Sequence, residues 1–211
     1  MAREIRTISD FKSKLLGGAA RPNLFEVSIP TFPTAGSIAW DDDTFSFLCK
    51  AAALPASNIA QIDVPFRGRI LKVAGDRTFD TWTVTVINDE DFKLRTSFEQ
   101  WMNQMSKLDN ATGATNPASY MTDAYVYQLG RNGIAAANST QGTAQLDGPK
   151  NGDKVPVLKA YKFHGIFPTN ISAIELSYDQ PDTIEEFTVD LQVQWWDALN
   201  PDGNSMFAET R

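Results

Sequence analysis

The sequence predicts a mainly β protein, a β-sandwich or barrel of about eight or nine strands with one flanking α-helix. Three observations predict it. Apolar and polar residues alternate with period two in segment after segment, most cleanly over Glu186–Trp196. The period changes to 3.6 in one long stretch only, where Leu94, Phe98, Trp101 and Met105 recur. Finally, 211 residues with 42% hydrophobic and 21% charged content match an ordinary globular domain, not a coiled coil or a disordered chain.

The elements follow in order. Ser9 to Leu16 reads as a short helix capped by Ser9 and stopped by Gly17-Gly18, with Phe11 and Leu15 on one face. Eight residues cannot hold a helix alone, so this one must dock on something, another chain included. Leu24–Ile29 is a strand ended by Pro30 and Pro33. Thr44–Lys50 reads as the next, with Phe45, Phe47 and Cys49 on one face. Ile59–Val64 and Arg67–Val73 follow. Thr78–Ile87 is a strong strand in which Trp82, Val84 and Val86 oppose Thr81, Thr83 and Thr85. Asn88-Asp89-Glu90-Asp91 supplies capping residues for the long helix. Asp123–Leu129 and Val157–Ile166 are strands, Pro168-Thr169-Asn170 is a turn, and Ile174–Tyr178 is a short strand. In Glu186–Trp196, Phe187, Val189, Leu191, Val193 and Trp195 take the core face. Glu186, Thr188, Asp190, Gln192 and Gln194 take the wet one. Residues 1–211 therefore form one expected domain, with loop insertions at 30–43 and 130–156 and a flexible tail after 197.

Charge narrows the function. Nineteen Lys and Arg against 26 Asp and Glu leave a net charge of −7. Residues 171–211 hold nine acids and one base, Arg211. Nonspecific DNA binding needs clustered cations, so it is disfavoured. Cys49 and His164 are each the sole residue of their kind, which removes disulfides, thiolate clusters and two-His zinc sites within one chain. Asp41-Asp42-Asp43 lacks calcium-loop spacing and reads as a solvated loop. His164 reads as structural, since no nucleophile lies near it. Cys49 reads as a buried small hydrophobe. No phosphate loop or dinucleotide fingerprint occurs, so the expectation is a non-enzyme without catalytic residues, metal or cofactor. Arg67, Arg69, Lys72 and Arg77 form a basic patch better suited to an acidic protein face, including another copy, than to nucleic acid. No apolar run approaches a membrane helix and the N-terminus lacks a signal-peptide core, so no membrane anchor is expected.

Five stretches go beyond class: Ala20–Val27, Phe47–Ala56, Val73–Glu90, Gly165–Asn170 and Glu186–Val189. In this order the chain resembles the tail tube proteins of T-even-like contractile-tailed bacteriophages, from residue 18 to 197, with Val73–Glu90 the most specific part. The resemblance implies a virion protein assembled in the bacterial cytoplasm. Its six-fold rings join strands into a continuous inner β-barrel and stack into a DNA-conducting tube inside a contractile sheath. The implied partners are further copies, the sheath protein, the baseplate tube-initiating and tail terminator proteins, and a tape-measure protein in the lumen, with DNA passing unbound. On that reading Arg67, Arg69, Lys72, Arg77, Phe11 and Leu15 are expected at subunit interfaces. Thr81, Thr83, Thr85, Glu186, Asp190, Gln192 and Gln194 are expected to line the lumen. Tubes of phage-like bacteriocins or type VI secretion share the implied fold. The competing reading is a monomeric sandwich that binds carbohydrate through Trp40 or Trp196.

Overall fold

Nine strands carry the architecture of the computed structural model, which describes residues 7–15, 19–33, 40–130, 157–179, 182–199 and 206. The strands are β1 (Phe25–Ser28), β2 (Cys49–Ala52), β3 (Ser57–Phe66), β4 (Arg69–Phe79), β5 (Trp82–Ile87), β6 (Thr122–Leu129), β7 (Val157–Ile171), β8 (Glu186–Gln192) and β9 (Trp195–Leu199). The helices are α1 (Ile8–Lys14), α2 (Asp42–Leu48) and α3 (Lys93–Met105), with a 3₁₀ turn at Pro117–Ser119. Seven strands make one sheet in the order β1-β6-β7-β8-β5-β2, with β9 on β7, while among the described residues β3 and β4 pair only with each other.

The chain divides into two compact units, one of Met1–Glu26, Val126–Tyr161 and Ala198–Arg211, the other of Val27–Tyr125 and Lys162–Asp197. In the second unit the core forms where alternation predicts it. β5 and β8 are antiparallel, with Trp82 opposite Leu191, Val84 opposite Val189 and Val86 opposite Phe187. All six are buried. α3 presents Leu94, Phe98 and Trp101 as its buried stripe. The Phe98 ring lies 6.5 Å from that of Phe187. Phe32, Trp40 and Phe45 complete an aromatic cluster around Phe98, with centroids 5.6–6.0 Å from it. Trp101 is anchored by its indole N–H, which donates to the Tyr120 carbonyl at 2.7 Å. In the first unit, the Leu129 N–H donates to the Leu24 carbonyl, and the Gln128 side-chain amide donates to the Arg21 and Leu24 carbonyls.

Several expectations are corrected. Thr44–Lys50 is not a strand. Asp41 caps α2 by accepting from the Asp43 N–H and the Thr44 hydroxyl, so Phe45 is buried while Phe47 is 85% exposed. Asp42 accepts from the Ser28 hydroxyl and the Ile29 N–H, both at 2.7 Å. Asp41 and Asp42 thus cap and tether backbone, and the run opens a helix instead of forming a solvated loop. α1 is capped by Thr7, not Ser9, in a reciprocal box with Asp10. The acidic run before α3 does not cap it; Phe92 in the left-handed region starts it, without a side-chain cap. The strand expected over Arg67–Val73 is present but starts at Arg69, because Arg67 and Gly68 form a turn, and it runs on to Phe79, so that Thr78–Ile87 breaks between Phe79 and Trp82. Pro168-Thr169-Asn170 is not a turn. β7 runs through it, with a register shift between Pro168 and Asn170 that accommodates the missing Pro N–H. Ile174–Tyr178 is not a strand. Glu186–Trp196 breaks at Val193-Gln194, so Trp195 leaves the core face and is 44% exposed. β9 continues the strand structure to Leu199, where a flexible tail was expected from 197. Most of 130–156, and 34–39 within the other insertion, lie outside the described residues.

Candidate functional site

The predicted basic residues are spread along an antiparallel hairpin, β3–β4, and do not form a single patch: Arg67 and Arg69 are at its tip, Lys72 is on the face opposite Arg69, and Arg77 is near its base. Arg67 and Gly68, with φ of +47° and +81°, are the two residues at its tip. Two consecutive positive φ values match the twist of a two-residue hairpin turn, and glycine supplies the second without strain. Directly opposite residues share a face. Ile62 pairs with Val73, Val64 with Leu71 and Phe66 with Arg69. On the other face Gln61 pairs with Ala74, Asp63 with Lys72 and Pro65 with Ile70. A bulge at Ile59/Gln61 inserts one extra β4 residue and brings Arg77 opposite Ile59. Hence Ile62, Val64, Phe66, Leu71 and Val73 make an apolar stripe, each between 42% and 67% exposed. Sequence reasoning found the cations and missed the stripe, because alternation marks a face without saying what covers it.

The predicted cations are exposed on this hairpin. Lys72 lies 3.7 Å from Asp63. The Arg67 guanidinium sits 5.3 Å over the Phe66 ring. At the base, the Asn58 amide donates to Asp80 at 2.9 Å, and Phe79 meets Trp196 edge-on at 6.2 Å. Phe11 and Leu15, also predicted at interfaces, are 64% and 43% exposed on and just after α1, which buries no residue.

Most of the second predicted set shares one sheet face. Thr83 pairs with Asp190, Thr85 with Thr188 and Ile87 with Glu186 on the sheet face opposite the core. The Thr83 hydroxyl donates to Asp190 at 2.7 Å, and the Asn170 amide donates to the other Asp190 oxygen at 3.1 Å. Thr81 reaches Gln192 at 3.5 Å. Lys50 pairs with Glu186. Gln194 is exposed just past β8, its backbone N–H donating to the His164 carbonyl. The face is polar, hydrogen-bonded and weakly acidic.

His164 stacks on Trp195, with centroids 3.7 Å apart. Burial and the neighbouring Lys162 charge depress its pKa. Burial raises the Asp123 pKa, but bonds from Lys162 and the Gly165 N–H outweigh it and hold the carboxyl below its usual range. Burial pushes the Cys49 thiol up to about 12; such a thiol is a poor nucleophile. Among the described residues no three His, Cys, Asp or Glu side chains gather where they could hold a metal ion. No helix among them is long and apolar enough to cross a membrane. Trp40 is no open sugar platform: it stacks on Phe32 at 4.1 Å and donates its indole N–H to the Ile29 carbonyl. Trp196 is half-buried against Phe79.

Comparison with known proteins completes the picture. The phage tail tube protein family model matches residues 20–198. The tail tube protein gp19 of Enterobacteria phage T4 is 35% identical over 181 residues, covering 86% of this chain and 93% of that protein. The gp19 of Enterobacteria phage T6 is 34% identical over the same shares. Among solved structures, a chain of the anti-feeding prophage baseplate superposes with a TM-score of 0.55 at 11% identity, covering 87% of this chain and 97% of that one.

Proposed function

The chain belongs to the phage tail tube protein family, and from that premise we propose that six copies close into a ring and that rings stack into the inner tube of a contractile tail. It is a structural tail tube protein of T4-like phages. The observation that carries the proposal is the match over residues 20–198 to a family of tube builders. The whole chain is proposed to act as one tube domain with loop insertions at 30–43 and 130–156.

The geometry supports this reading in three places. The short strands β1 and β2 end the main sheet order, and an unpaired edge invites a strand from a neighbour. The hairpin and α1 expose apolar side chains that a monomer has no use for. The polar face of Thr81, Thr83, Thr85, Glu186, Asp190 and Gln192, continued by Gln194, suits a wet lumen. An acidic, hydrogen-bonded wall repels phosphate and lets DNA slide without adhesion. Arg67, Arg69, Lys72 and Arg77, with Phe11 and Leu15, are proposed as contacts between copies.

The assembled tube would meet a sheath outside, a tube-initiating baseplate protein and a terminator at its ends, and a tape-measure protein and then DNA within. The product is proposed as a structural component of the virion tail, assembled in the host cytoplasm. Sedimentation and negative-stain imaging of the purified chain test the proposal. Six-fold rings and hollow tubes are expected; a persistent 23.3 kDa monomer at all concentrations overturns it.

A further inference from the structure

The hairpin tip has a chemically matched counterpart elsewhere on the same chain. Residues 172–186 contain five acids and no base. Glu185 accepts from the Asn88 amide at 3.1 Å and Glu186 pairs with Lys50. Glu175, Asp179 and Asp182 are exposed and form no ion pair among the described residues. Beside them Leu176 and Ile184 are 79% and 72% exposed, and Tyr178 is fully exposed. A segment that displays acids and three large apolar side chains together matches a hairpin that displays Arg67 and Arg69 beside Phe66, Val64 and Leu71.

We propose that the hairpin tip of one copy seats on the acidic, apolar segments 172–179 and 182–185 of a second copy. The inference rests on the tube reading and names its contact. The occupant is a second copy because charge and apolar character are complementary between two surfaces of one sequence. Two different patches meeting head to tail leave the same pair free at each end, so the contact propagates. Phe66 and Tyr178 are the aromatic anchors, around which the arginines and carboxylates set orientation.

The test is charge exchange in the full chain. R67E/R69E and D179K/D182K are each expected to raise the critical concentration for polymerisation by about tenfold or more, because like charges then face each other. Combining all four substitutions restores complementarity and is expected to bring it back to within about threefold of wild type. Far-UV circular dichroism and the urea midpoint confirm that every variant folds. A second readout mixes Leu71→Cys chains with Tyr178→Cys chains under oxidant: disulfide-linked dimers are expected in the mixture and not in either chain alone, since Cys49 is buried. Folded four-fold variants that polymerise no better than either parent overturn the proposal. So does a loop variant that polymerises normally while the hairpin variant does not, an outcome that leaves the tube reading intact. Wild-type chain that never forms rings or tubes overturns the tube reading itself.

Discussion

Two phenylalanines of the same size separate folding from assembly. Phe98 is fully buried, with five aromatic rings around it: Phe32 at 5.7 Å, Trp40 at 5.6 Å, Phe45 at 6.0 Å, Trp101 at 6.3 Å and Phe187 at 6.5 Å. Phe98→Ala removes a ring from a packed interior and leaves a cavity, a change that costs about 3–5 kcal/mol. The lost aromatic pairs, each worth about 0.5–1.5 kcal/mol beyond area, place the cost at the upper end of that range. With a urea slope of about 2 kcal/mol per molar, the unfolding midpoint should fall by about 1.5–2.5 M. Phe66 is 67% exposed on the hairpin. Its removal should shift stability by no more than about 0.5 kcal/mol. Urea titration followed by tryptophan fluorescence reads both numbers, and sedimentation reads assembly. Phe66→Ala should keep the wild-type midpoint and lose polymer, while Phe98→Ala should lose stability first. A Phe98→Ala cost below about 1 kcal/mol, or a Phe66→Ala cost as large as that of Phe98→Ala, refutes the assignment of core and contact surface.

Other expectations concern charge and backbone. Asp123 has a depressed pKa in the fold, so Asp123→Asn should lose stability above about pH 4, and the deficit should shrink as pH falls through the folded pKa. His164 is the only histidine, and its depressed pKa should appear as one NMR titration with a midpoint below about 6.5. Its contribution is present above that pH and is lost on acidification, so His164→Gln should flatten the acid limb of the stability profile. Gly165 has φ of +61°, and a Cβ there would approach the Gln194 Cγ at 2.8 Å. Gly165→Ala should therefore cost about 1–2 kcal/mol, read as a lower Tm in calorimetry. Glu186→Lys with Asp190→Lys should leave tubes able to form but slow DNA ejection from phage carrying them. Unchanged ejection kinetics would remove the lumen assignment. The lost Lys50–Glu186 pair is exposed and worth at most about 1 kcal/mol.

What could be read from residues alone depended on how strongly burial enforces a pattern. β5, β8 and the stripe on α3 were legible because one face of each is buried, and a one-residue slip would turn that face to water. The same logic placed Thr83 and Asp190 on the wet faces of their strands, while their position opposite each other is a matter of register that only the fold supplies. Thr44–Lys50 misled because Phe45 and Phe47 mimic alternation, whereas Asp41 as a cap and a seven-residue helix bury only the first. The break after Gln192 was illegible because polar and apolar residues keep alternating through Val193 and Gln194. The hairpin cations were found by composition. The apolar stripe beside them was not, since exposure depends on what the rest of the chain leaves uncovered.

Among the described residues the β3–β4 hairpin pairs only with itself, and such a ribbon is marginal in water without a third strand or a covering surface. Its 23 residues, Ser57 to Phe79, carry backbone entropy that the monomer's own core does little to offset. Polymerisation that covered the stripe would therefore complete a folding reaction as well as a docking one. Its thermodynamic signature should be a negative heat-capacity change, so the warmth at which subunits join should matter as much as their concentration.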